Sequence, residues 1–136
     1  MAIAHYSRAV SGDVVTVINN AINGGAGPGL IHFYNKSMPA TTATGITDQD
    51  LLGTCTCADP AGVESGGTLT FSAIANDAAA DDTGIATWVR ITDSAGTVVT
   101  DLDVTATGGG GYVQMASTSI TAGGPIAFNS FTITLP

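Results

Sequence analysis

The stretch 85–104, IATWVRITDSAGTVVTDLDV, decides how this chain is read. With Asp93–Gly96 as a four-residue hairpin loop, Ile91 faces Val98, Val89 faces Thr100, and Ile85 falls on the same side as Leu102 and Val104. The result is one continuous apolar face. The other face carries Ala86, Trp88, Arg90, Val99, Asp101 and Asp103, with Arg90 diagonal to Asp101 and near enough for a cross-strand ion pair. Both strands and the turn agree on one register, and a one-residue slip would reverse every side chain. Two antiparallel strands are therefore the anchor of the fold.

Working outward, 136 residues suffice for one domain with a real core that needs neither disulfides nor metal. Hydrophobic residues make up 44% and charged residues 10%, with 18 glycines, a composition of short strands and many turns. Lys+Arg number 3 against 11 Asp+Glu, and a net charge of −8 repels phosphate backbones and anionic membranes. Neither nucleic acid nor a membrane is an expected partner. Residues 1–30 show no charged segment followed by an apolar run, so no signal peptide is expected and synthesis in cytoplasm is. Cys55 and Cys57 stand two apart in a strand, at the outer limit of disulfide reach, and are read as reduced.

Residues 1–28 are read as an N-terminal arm and short helix, and 29–136 as the β domain. In the arm, Ile3, His5, Tyr6 and Arg8 supply more anchoring groups than a frayed tail requires, so a frayed terminus and an arm docking on a partner subunit both stand. From Asp13 to Asn23, Val14, Val17, Ile18, Ala21 and Ile22 recur at helical spacing, with Ser11 or Asp13 as N-cap and Gly24, Gly25 and Pro28 as the stop. Strands follow at Leu30–Asn35, Leu51–Ala58, Thr68–Ala75, within 85–104, at Tyr112–Met115 and in Ile126–Leu135. Loops intervene at Lys36–Asp50, Asp59–Gly67, Asn76–Gly84 and the flexible Gly108–Gly111. Leu51, Cys55 and Cys57 share a face, Ile74 points outward, and a change of phase at Asn129–Ser130 suggests a bulge. About seven short strands after one helix predict an antiparallel, jelly-roll-like β-sandwich.

No nucleophile elbow, HExxH, P-loop or paired CxxC is present, so no enzyme, cofactor or metal site is expected. His32, in an aromatic strand, reads as a packed, hydrogen-bonded histidine rather than a general base. The acidic groups Asp48/Asp50, Asp77/Asp81/Asp82 and Asp101/Asp103 lack calcium-loop spacing and read as turn and surface carboxylates. Trp88, the single tryptophan, is either buried under a second layer or an exposed anchor at a subunit contact or sugar-binding cleft, and Ile74 would join it there.

The segments GPGLIHFYNKSMPATTATGITDQDLLGT, GTLTFSAIANDAAADDTGIATWVRITDSAGTVVTDLDV and TSITAGGPIAFNSFTITLP together resemble a group of small proteins encoded by tailed bacteriophages and prophages. The likeness runs from about Gly24 to Pro136. Its distinctive parts are Thr83–Trp88, the DSAGTVV turn and the SITAGGPI and SFTIT ending. The resemblance implies a virion component, a capsid decoration or cement protein of jelly-roll type on the outer surface of the assembled shell. Its partners would be the major capsid protein and copies of itself. The alternative it leaves open is a tail or fibre-associated receptor-binding module, with Trp88, Tyr112 and an acidic loop lining a carbohydrate site. The shared motifs are structural, and no binding residue transfers from them.

Overall fold

The computed structural model describes residues 5, 7–127 and 131–134. The chain opens with α1 (Arg8–Ile22), capped by Ser7, whose hydroxyl accepts the Val10 backbone N–H at 3.2 Å. The helix thus begins earlier than the expected start near Asp13. Its rotation also differs from the expected one: Ser11, Val15 and Ile22 are buried and Ile18 partly so, whereas Val14 and Val17 point outward. Two asparagines set this rotation. Asn19 donates to the Gly62 carbonyl at 3.0 Å and accepts the Gly62 N–H at 3.2 Å, and Asn23 accepts the Ala61 N–H at 2.9 Å. Buried backbone groups need these partners, so the polar anchors outrank the apolar count.

The strands are β1 (Leu30–Tyr34), β2 (Leu51–Thr56), β3 (Gly62–Ser65), β4 (Thr68–Phe71), β5 (Gly84–Ile85), β6 (Trp88–Thr92), β7 (Val98–Ala106), β8 (Val113–Met115), β9 (Ser119–Ile120) and β10 (Thr132–Thr134). They form a main sheet in the order β2-β1-β6-β7-β8, a smaller sheet β10-β4-β3, and the pair β5-β9. The protein is therefore mainly β with one helix. The expected all-antiparallel arrangement needs correction, because β8 runs parallel to β7, with Val104 beside Val113 and Ala106 beside Met115. A parallel return ordinarily takes a dozen or more residues. Here six suffice, because Gly108 and Gly110 adopt φ of +87° and +86° and fold the chain back tightly. A Cβ at Gly109 would lie 2.7 Å from the Thr105 Cβ, which shows how closely the loop hugs the strand it has just left.

From Thr100 onward the central hairpin keeps the expected faces but not the expected register; before it, Val98 pairs with Thr92 instead of facing Ile91, and Val99 packs against the core. Ile91 pairs with Thr100, Val89 with Leu102 and Arg90 with Asp101, a shift of two residues from the simple loop. The loop widens to Asp93–Thr97, where Asp93 Oδ1 accepts the Ala95 and Thr97 N–H groups, and a bulge absorbs one further residue between Val98 and Thr100. A shift of two preserves side-chain parity, so Arg90 and Asp101 stand directly opposite rather than diagonal. Ile85 leaves the hairpin altogether: the strand breaks at Ala86–Thr87, and Ile85 pairs with Ser119 and is 53% exposed.

A second bulge, opposite Phe33 and Tyr34, turns Leu51 outward and buries Leu52 in its place. Ile74 is buried, not outward, because β4 stops at Phe71 and the chain bends so that Ala75 bridges Thr56. The core joins Val15 and Ile22 of the helix, Leu69, Phe71 and Ile133 of the small sheet, and Ile31, Phe33, Val89 and Ile91 of the main sheet. The expected phase change at Asn129–Ser130 lies outside the described residues.

Candidate functional site

The side of β6 facing away from the core carries the densest polar chemistry in the molecule. Across four strands the register sets Thr54, His32, Arg90 and Asp101 in one row. Arg90 meets Asp101 through two bonds, Nε to Oδ1 at 2.8 Å and Nη2 to Oδ2 at 2.9 Å, with both side chains over nine-tenths buried. Tyr34 stacks on Trp88 at 4.6 Å between centroids, and the Arg90 guanidinium lies 5.5 Å from the tryptophan ring. The Asp101 bonds push the Arg90 pKa above its ordinary value, outweighing burial. Asp101 is thus a buried partner, not a solubilising surface carboxylate.

Loop 35–50 roofs this row. The Thr44 carbonyl accepts both Arg90 Nη groups at 3.2 Å, and the Asn35 carbonyl accepts the Trp88 indole N–H at 3.1 Å. The loop is fastened at its base, where Asn35 donates to Asp50 Oδ2 and accepts the Asp50 N–H. That amide and the Lys36 ammonium, 3.6 Å away, hold the Asp50 carboxyl below its usual range. Trp88 is fully buried as a result and offers no surface to a partner.

His32 is wired on both sides of its ring. The Thr92 hydroxyl donates its single proton to the Asp93 carbonyl at 2.9 Å, so it accepts from His32 Nε2, 3.1 Å away. Nδ1 is then the bare nitrogen and accepts from Thr54 Oγ1 at 3.2 Å. Burial, and then the Arg90 charge, lower its pKa below 6.5 and keep the ring neutral. Its ring is bonded to two threonine hydroxyls and to no carboxylate, an arrangement that ties β1 to both neighbouring strands. Cys55 and Cys57 are buried, with thiols pushed up to about 11 and about 12 by burial, which removes thiolate chemistry at neutral pH. Among the described residues no three His, Cys, Asp or Glu side chains gather to hold a metal ion.

Of the expected interface residues, Ile3 and Tyr6 lie outside the described residues, and His5 is exposed. Arg8 is exposed but tied to its own chain, its Nη1 donating to the Gly66 carbonyl at 3.0 Å. Ile74 and Trp88 are buried. The surface that sequence reasoning missed is on α1, where Val10 is 46% exposed, Val14 39% and Val17 66%, with Ala21 completing the stripe. These residues recur at i, i+4, i+7 and i+11, beside the buried stripe Ser11, Val15, Ile18 and Ile22. The legible signal was the width of the apolar arc, too broad for a helix resting on one layer. No helix among the described residues is long and apolar enough to cross a membrane. Comparison of the chain with protein-family models, curated proteins and solved structures finds no match in any of the three.

Proposed function

We propose that this protein is a non-enzymatic structural component of a phage particle, a capsid decoration protein that binds the outside of the shell and contacts major capsid subunits and its own copies. The observation that carries this reading is the valine stripe Val10, Val14, Val17 and Ala21, an ordered apolar helix face that the other described residues leave exposed. The sequence resemblance to phage proteins supplies the setting. Burying three partly exposed valines against a neighbour contributes about a few kcal/mol, enough to raise shell stability by mass action without any chemistry. The net charge of −8 suits a surface turned away from packaged DNA.

The finer architecture belongs to the same proposal: the main and small sheets are the two layers of a jelly-roll-like sandwich. What supports it is that Leu69, Phe71 and Ile133 share one core with Ile31, Phe33, Val89 and Ile91. The tail or fibre alternative loses Trp88, which is buried, from its proposed aromatic platform and keeps only Tyr112, which is exposed.

The test is to add purified protein to shells that lack it. Symmetry-related density and a higher shell melting temperature are expected, and Val14→Asp with Val17→Asp abolishes both while the isolated protein keeps its fold. No added density and unchanged melting would overturn the proposal.

A further inference from the structure

The second surface without a task lies at the far edge of both sheets. A shallow open groove of about 280 Å³ runs between β8 and β10, lined by Gly110, Gly111, Tyr112, Gln114, Thr132 and Thr134. We propose that this groove binds a neutral saccharide. A pyranose ring presents a C–H face that packs on an aromatic ring and a rim of hydroxyls that needs donors and acceptors together. The groove offers that combination: Tyr112 is 45% exposed, Gln114 contributes an amide, and Thr132 and Thr134 contribute two exposed hydroxyls. Its volume is near the lower end of small-ligand sites, with room for about one or two sugar rings.

Among the described residues the lining contains no carboxylate, amine, guanidinium or imidazole, which favours an uncharged ligand, and the net charge of −8 disfavours anionic glycans further. The wall is built before any ligand arrives. Gln114 donates to the Gly111 carbonyl at 3.2 Å and accepts the Gly108 N–H at 3.0 Å, Thr105 Oγ1 accepts the Gly111 N–H, and Asp103 accepts the Tyr112 N–H at 2.9 Å. The expected flexible glycine run is in fact tied at each of these points. Preformed walls reduce the ordering cost of binding.

The floor extends onto the outward side of the small sheet, where register aligns Thr132, Thr70 and Val63 in one row and Thr134, Thr68 and Ser65 in the next. Thr68 and Thr134 share a hydrogen bond at 2.9 Å. The described side chains in these two rows are uncharged and all but Val63 carry a hydroxyl, so a longer oligosaccharide meets hydroxyl groups beyond the groove. The proposal is independent of the decoration reading, since it uses none of the helix residues.

The experiment titrates the intact chain with maltohexaose, cellohexaose and chitohexaose, each to ~10 mM, with a heparin hexasaccharide as the anionic comparison, following backbone amide resonances. A saturating shift confined to Gly110–Gln114 and Thr132–Thr134 is expected with at least one neutral sugar. Tyr112→Ala then weakens binding about tenfold or more, and Tyr112→Phe, which retains the ring, restores most of it. Thr132→Val provides a second variant that leaves the loop untouched and lowers affinity less. No shift at these amides with any neutral sugar, equal affinity in Tyr112→Ala, or tighter binding of heparin would each overturn the proposal.

Discussion

Two sheet faces turn away from the core, and the chain treats them in opposite ways. Beside β6, loop 35–50 closes over Trp88 and Arg90 and accepts their N–H groups, while Arg90 itself satisfies Asp101. Over β10, β4 and β3 the described residues form no such roof, and the side chains there are threonines, a serine and a valine. A covered face can hold charge because its bonds are made inside the molecule, and it then rewards one conformation over others. An open face is kept uncharged and β-branched, suited to water or to whatever docks. Structural investment is concentrated on the first face and available surface on the second.

The largest effect should come from breaking the covered face. Arg90→Ala leaves Asp101 buried without its partner and should cost about 3–5 kcal/mol in denaturant unfolding. Replacing both by leucine should recover most of that loss, because the uncompensated charge goes with it. A similar loss, about 3–5 kcal/mol, is expected for Trp88→Ala, read in the same unfolding curves.

A smaller, pH-dependent effect should come from His32. Its folded pKa lies below 6.5, so as pH falls the unfolded chain takes the proton first. The stability that neutral His32 contributes is complete above about pH 6.5 and is lost as pH drops from there towards the folded pKa. His32→Gln should therefore flatten the fall in melting temperature between about pH 7.5 and about pH 5. A variant profile as steep as the parent's would remove His32 from the account.

The smallest effects belong to the open face. Thr70→Val and Tyr112→Ala should each change unfolding free energy by about 0.5 kcal/mol or less. A loss above about 2 kcal/mol at either site would mean that this face is also structural, and the contrast between the two would fail.

Much of the covered face was legible in the letters. Alternation in Trp88–Thr92 and Val98–Val104 identifies two strands, their faces and the Arg90–Asp101 pair. The extra loop residue and the bulge beyond Val98 were not, because together they shift pairing by two and leave every face from Thr100 onward as it was. The direction of β8 was equally hidden: four glycines announce a turn but not that the chain returns parallel. On α1 the apolar count favoured Val14 and Val17, while Asn19 and Asn23, bonded to backbone far along the chain, decided which side went inward. The exposed valines and the Tyr112 groove share one cause of invisibility. Each is defined by what does not cover it, and coverage is a property of the whole fold.

The two sulfur atoms carry a last consequence. Cys55 and Cys57 are sealed in the interior with thiols raised to about 11 and about 12, and neither is bonded to the other. No disulfide has to form or break for the fold to hold in a reducing or an oxidising medium. Alkylating reagents should find these side chains only after denaturation.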